Sequence, residues 1–344
     1  MRRSVLVIYT GGTIGMVEDP ATGALVPFDF AALKKHVPEL ERLDLEVESI
    51  AFDTPIDSSD IEIHQWQALA GVIEANYEKH NGFVVLHGTD TMAFSASALS
   101  FMLEGLNKPV VFTGSQLPID TVRTDGRENL VTAVQIAGME RNGEPCLQEV
   151  AIYFGSQLLR GNRTHKYSSE DFYAFRSPNY SPLAEVGIHI DLNTVRMLKP
   201  KGTFKVYDQM ENNIAVLKLF PGITKEVVQQ ICGAKNIKGL LVETFGSGNA
   251  PTKEWFLNEI QHVIQRGVTV VNVTQCNDGF VEQGRYASSR GFAAMGVLSA
   301  ADMTFEAALT KLMHVLSYCK DEDAIAKGFL EDKRGELTTF SSLV

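Results

Sequence analysis

Short runs of consecutive apolar residues alternate with stretches whose apolar positions fall three and four apart. The runs are Ser4–Tyr9, Val47–Phe52, Gly82–Leu86, Pro109–Thr113 and Val150–Phe154. Each is rich in Val, Ile or Phe on successive positions, without the alternation of a half-exposed strand, so each reads as a strand covered on both faces. Between them the pattern is helical. Ser59, with Glu62 three residues on, has the form of a capping box, and Trp66, Leu69, Ile73 and Tyr77 then fall on one face. Further helices are predicted from about Ala93 to Leu103, with Gly105 near the end, and from about Glu128 to Ala137. Strand–helix alternation of this kind predicts a doubly wound, mostly parallel sheet, a Rossmann-like α/β domain.

From about Ser177 to Asn213 the pattern weakens, punctuated by Pro178, Pro182, Pro200 and Gly202. It then resumes. Ile214–Phe220, Leu240–Phe245 and Val268–Val273 read as strands. Thr224–Cys232, Thr252–Ile264 and a helix within Asp302–Tyr318 read as helices, each with a Thr or Asp as N-cap. The expected organisation is a larger α/β domain over 1–190, a connection over 191–212 and a smaller α/β domain over 213–344. A chain of 344 residues is long for one core and comfortable for two.

Composition narrows the function. The net charge of −11 and the lack of a Lys/Arg stripe argue against a nucleic-acid partner. No apolar run has the length of a membrane span. The opening MRRSVLVIYTGG has too short an apolar run for a signal peptide and no small-residue cleavage site, so a cytoplasmic protein is expected. The four cysteines, Cys146, Cys232, Cys276 and Cys319, are scattered, as reduced thiols are. The eight histidines show no H-E-x-x-H or comparable spacing, so no metal is expected. G-x-G-x-x-G and the P-loop are both absent, so no cofactor is expected either.

Polar groups gather where strands end, which is where ligands bind in a doubly wound sheet. Tyr9-Thr10-Gly11-Gly12-Thr13-Ile14-Gly15 follows the first strand. Its glycines let backbone approach a ligand, and its threonines bring hydroxyls to the same point. His87, Thr89, Asp90 and Thr91 crowd into the turn after Gly82–Leu86, where Asp90 or Thr91 could equally cap the next helix. Asp57, Ser58 and Ser59 lie beyond the second strand; Ser59 has the capping position, and Asp57 and Ser58 are left for polar ligand groups. Lys166 lies in a loop, and spacing alone assigns it no role. Hydroxyls, a carboxylate and an ammonium suit covalent acyl transfer. A threonine hydroxyl needs a base to become a nucleophile, and a Thr–Lys–Asp chain could supply one.

TGGTIG at 10–15 and HGTDTM at 87–92 together resemble the two motifs of the bacterial-type L-asparaginases. The likeness continues through TGSQLP (113–118), LLRGNRTHK (158–166), GSGNAP (246–251) and NVTQC (272–276), nearly the whole chain. TGSQLP and RGNRT-x-K look most like the cytosolic type I branch. The resemblance implies a Rossmann-like N-terminal domain carrying most of the site and a smaller C-terminal domain. It implies homo-oligomers, dimers or dimers of dimers, with sites at subunit and domain junctions. It also implies hydrolysis of L-asparagine to L-aspartate and ammonia by threonine-based double displacement. By position, Thr13 matches the first catalytic threonine, and Thr89, Asp90 and Lys166 match the Thr–Asp–Lys set. Asp57, Ser58 and Ser59, with Thr89 and Asp90, match the groups that hold the substrate. Backbone N–H groups near the HGTDT turn are implied for the oxyanion. Which threonine carries the acyl group stays open.

Two departures stand out. The family commonly has a lid tyrosine after TGGTI; between Ile14 and Phe30 this chain has none, and Thr22 is the sole hydroxyl. Some type I members carry an asparagine effector site built partly from an arginine where this chain has Glu243, while Thr274 and Cys276 of the other wall are kept. Weak or absent activation by asparagine is therefore expected. The competing readings are a glutaminase-asparaginase, a tRNA-linked transamidation subunit, and a non-catalytic sensor on the same scaffold.

Overall fold

The computed structural model describes residues 2–18, 25–27, 37–199, 201–284 and 287–339. Two compact units are present, Met1–Asp208 and Gln209–Val344.

The first unit is built on an eight-stranded sheet. Its strands are β1 (Ser4–Gly11), β2 (Glu46–Ile56), β3 (Gly82–Leu86), β4 (Val110–Thr113), β5 (Val150–Phe154), β6 (Gln157–Arg160), β7 (Ala184–Val186) and β8 (Ile190–Leu192). The first five are parallel in the order β2-β1-β3-β4-β5, and β6, β7 and β8 continue from β5 as antiparallel strands. Helices α1 (Ile63–Asn76), α2 (Met92–Met102) and α3 (Gly126–Ala137) complete the crossovers. Val5, Val7, Val84, Leu86, Val111 and Ala151 form one core with Leu130, Ala133 and Val134 of α3. Leu6, Ile8, Phe83, Val85, Val110 and Phe112 point to the opposite face and are buried as well. Strands apolar on consecutive positions are thus covered on both faces, the doubly wound arrangement expected.

Several local expectations are corrected. β2 is not covered on both faces: it is one of the two edge strands, and Glu46, Glu48, Ser49 and Asp53 along it are exposed. The helix expected from Ser59 begins at Ile63, because the reciprocal cap is made by Gln65, whose side chain accepts the Glu62 N–H at 2.6 Å. Ser59 sits in a separate 3-10 turn, Ser58–Asp60. The weakly patterned stretch after Ser177 contains β7 and β8, too short and too polar to show a period, and Lys205–Val206 pairs with Leu103–Glu104.

The second unit holds four parallel strands in sequential order, β9 (Ile214–Lys218), β10 (Gly239–Thr244), β11 (Thr269–Thr274) and β12 (Leu298–Ser299). Its helices are α4 (Lys225–Cys232), α5 (Glu254–Gln265), α6 (Ala287–Ala294), α7 (Phe305–Tyr318) and α8 (Glu322–Leu330). Leu240, Val242 and Val270 pack with Val228, Phe256 and Phe292 on one face. The alternate residues Leu241 and Val271 pack with Ala308, Leu312 and Phe329 on the other. Thr224 caps α4 as expected, accepting from Val227 N–H. Within Asp302–Tyr318 a threonine caps as expected: Thr304 accepts from Ala307 N–H at 3.2 Å at the start of α7; Thr252 does not cap, and Lys253 precedes α5. Asp302 binds the Thr338 N–H and hydroxyl.

Candidate active site

An order of 2-1-3-4-5 reverses direction between β1 and β3, and the crevice outside the carboxyl ends of such a pair is where doubly wound sheets bind ligands. Both hydroxyl-rich turns lie there. β1 ends at Gly11, Gly12 has φ 90°, and Thr13 opens a 3-10 turn, Thr13–Gly15. The glycine at 12 is a steric necessity: a Cβ there would lie 2.5 Å from Gly88 N and 2.6 Å from Gly88 Cα. A Cβ on Gly88 would in turn lie 2.5 Å from Ser58 Oγ. The turns after β1, β2 and β3 are therefore in direct contact, with Thr13, Ser58 and Thr89 carried on them. The half-buried Thr13 hydroxyl has no hydrogen-bond partner among the described residues.

Lys166 joins this group from a distant part of the chain. Its ammonium donates to Thr89 Oγ1 at 2.8 Å and to Asp90 Oδ1 at 2.5 Å. The lysine side chain is 15% exposed and that of Asp90 65%, so the pair joins a largely buried ammonium to a carboxylate open to solvent. Lys166 is not in a free loop. It pairs with Phe175 in a two-stranded ribbon, and Phe175 packs edge-on against Phe154. Upstream, the buried Arg160 bonds Glu149 at 2.6 Å and Thr164 Oγ1 donates to Arg160 O at 2.7 Å. The LLRGNRTHK segment thus delivers the ammonium from a rigid support.

Ser58 is buried, whereas Asp57 and Ser59 are exposed. Ser59 is turned onto Asp57, donating its N–H at 2.9 Å and its hydroxyl at 2.8 Å to Asp57 Oδ1. These bonds hold the Asp57 carboxyl below its usual range, leaving an anion suited to an ammonium. Thr91 precedes α2 but does not cap it; its hydroxyl donates to Ser58 O at 2.6 Å, tying the β2 and β3 turns together. The helix-capping alternative for Thr91 therefore fails. Beyond β4, Asp125 accepts the N–H groups of Gln116 and Leu117, and Asn129 donates to Gly114 O, fixing the TGSQLP turn.

Sequence reasoning placed His87 in the turn without a task and missed Trp66 and Ser95 as its partners. His87 is buried, and its imidazole links Gly88 O and Ser95 Oγ, with Trp66 bonded to Ser95 in turn. The available signal was a histidine ending a wholly apolar strand. Thr22, in the segment where the family has its lid tyrosine, lies outside the described residues. Among the described residues no group of His, Cys, Asp and Glu is arranged to hold a metal ion.

What this arrangement can do is activate a hydroxyl beside a held amino acid. The Asparaginase, N-terminal family model matches residues 4–198, and the Glutaminase/Asparaginase C-terminal domain model matches 213–329. L-asparaginase 1 of Escherichia coli (strain K12) is 43% identical over 98% of this chain and 98% of its own length. The 60 kDa lysophospholipase of Homo sapiens is 41% identical over 98% of this chain and 62% of its own length. Among solved structures, L-asparaginase I from Vibrio cholerae superposes with a TM-score of 0.89 at 40% identity, covering 98% of this chain and all of that one. A likeness that runs through both units, in sequence and in fold alike, makes this chain a member of the asparaginase family.

Proposed function

We propose that the turns after β1, β2 and β3, together with Lys166, form the active site of this L-asparagine amidohydrolase. The substrate is L-asparagine and the products are L-aspartate and ammonia. The observation that carries the site is the Lys166 ammonium bonded to both Thr89 Oγ1 and Asp90 Oδ1. Asp57 receives the substrate's α-ammonium, and Ser58 and Ser59 flank its α-carboxylate, with Asp90 assisting at the amino group. The first unit carries most of this machinery.

Thr13 is the nucleophile in this reading. Its hydroxyl is without a partner among the described residues, while Thr89 Oγ1 is already engaged by Lys166. Thr13 Oγ attacks the side-chain amide carbon, the C–N bond breaks, and the threonine proton leaves with the amide nitrogen as ammonia. Water, held at Thr89 with Lys166 and Asp90 behind it, then attacks the ester carbon; the bond from that carbon to Thr13 Oγ breaks, aspartate is released, and the proton displaced from the water returns to Thr13 Oγ. A cytoplasmic dimer or dimer of dimers is the assembly this reading adopts.

The test is ammonia release from L-asparagine and, separately, L-glutamine. Asparagine is turned over by the wild type, and kcat falls by on the order of 10²–10⁴ in Thr89→Val and Lys166→Met, the range for losing acid–base assistance. Wild-type kcat in folded Lys166→Met would refute the assignment. A folded wild type that binds aspartate and releases no ammonia from either substrate would point to a sensor.

A further inference from the structure

The chain of hydrogen bonds behind the β3 turn has a direction. His87 Nδ1 lies 2.7 Å from Gly88 O, which can only accept, so Nδ1 carries the proton and Nε2 is bare. Ser95 Oγ, 2.8 Å from Nε2, must then donate to it. The same oxygen accepts the Trp66 indole N–H at 2.9 Å. Trp66 is on α1 and Ser95 on α2, so two packed helices set the imidazole's tautomer and orientation. The ring is 1% exposed, and burial pushes its pKa down to about 4, so it stays neutral at ordinary pH.

The consequence falls on one peptide. Gly88 C=O and Thr89 N–H belong to the same planar unit and point in opposite directions. With the carbonyl drawn to the buried His87, the Thr89 N–H is turned away from the imidazole, and the residue that carries it also carries the Oγ1 bonded to Lys166. This N–H has no acceptor among the described residues.

We propose that His87, set by Ser95 and Trp66, is a positioning residue for amide hydrolysis: it locks the Gly88–Thr89 peptide so that the Thr89 N–H meets the oxyanion formed at the substrate amide. This rests on the hydrolase reading above. Without the imidazole N–H the Gly88 carbonyl is a buried acceptor with no donor, and the peptide can turn over.

The test measures kcat and KM for ammonia release, aspartate affinity and thermal midpoint in the full chain and in His87→Leu, His87→Asn and Ser95→Ala. His87→Leu lowers kcat on the order of 10²-fold, as loss of an oxyanion donor does, with KM and aspartate affinity little changed. His87→Asn, whose amide N–H takes the place of Nδ1–H, recovers most of that loss, and Ser95→Ala falls between. A folded His87→Leu with wild-type kcat overturns the proposal. So does a loss of aspartate affinity in step with kcat in all three variants, the mark of a structural role. If His87→Leu does not fold, wild-type kcat in Ser95→Ala overturns it. A wild type that releases no ammonia sinks the hydrolase reading and this one with it; an active wild type with indifferent variants sinks this one alone.

Discussion

His314 on α7 shares the burial of His87, and in each case desolvation pushes the pKa down from 6.5 to about 4. An unfolded chain takes up a proton at such a residue below pH 6.5; the folded chain does so only near pH 4. Between these values the unfolded state binds more protons, so stability falls as pH falls, by up to about 3 kcal/mol per residue, and levels off below the window. His314 is the cleaner probe because it lies outside the proposed site. The thermal midpoint should drop less between pH 7 and pH 5 in His314→Gln than in the wild type. Equal drops would mean that the imidazole charges in the folded protein without penalty.

Between α7 and the segment after α8 the second unit hides a pair of charges. Lys311 and Glu336 are both 0% exposed and form an ion pair. The ammonium also donates to Glu331 O at 2.6 Å, and the carboxylate accepts the N–H groups of Lys333 and Arg334. Every charge is answered, so the pair tolerates burial, but removing one partner strands the other. Glu336→Gln should cost about 3–5 kcal/mol in urea unfolding, and Lys311→Met/Glu336→Leu much less. A double variant as unstable as the single would show that the pair itself stabilises the unit. Neither charge was legible as buried, because a lysine and a glutamate 25 positions apart carry no periodic signal. The same limit explains what sequence reading caught and missed elsewhere. Gly82–Leu86 and Val150–Phe154 were found end to end because four or five consecutive apolar side chains, too few for a helix and rich in Val, Ile and Phe, mark a doubly covered strand. β6, β7 and β8 were not, since three or four residues cannot display a period and Arg160, Glu185 and Asp191 interrupt them. At the site, the turns after β1 and β3 were legible because the fold puts strand ends there. Lys166 was not legible from spacing, for 77 positions separate it from Thr89, and only the resemblance singled it out.

Saturation behaviour belongs to the whole molecule, because sigmoidal kinetics require sites that communicate. In some type I chains of the family that this sequence resembles, an effector site for asparagine is built partly from an arginine at the position of Glu243. Here Glu243 is the last residue but one of β10, and its carboxylate lies 3.2 Å from Lys218 Nζ on the neighbouring β9. The polar groups around it are already engaged with one another. Gln275 donates to Leu219 O and Glu243 O, and Thr274 donates to Gly246 O at 2.5 Å while accepting the Cys276 N–H. An asparagine α-carboxylate arriving there would meet a like charge where a guanidinium should be, with the nearby lysine committed to that charge. The free energy of effector binding, and with it any coupling to catalysis, is therefore removed at its anionic end. We expect asparagine saturation to be hyperbolic, with a Hill coefficient of 1, whatever the assembly state. Removing the like charge with Glu243→Gln frees Lys218 but supplies no fork for a carboxylate, so it should leave the curve hyperbolic too. A sigmoidal wild-type curve would mean that the effector is held by groups other than this wall, and that the substitution at Glu243 has moved the regulatory site instead of silencing it.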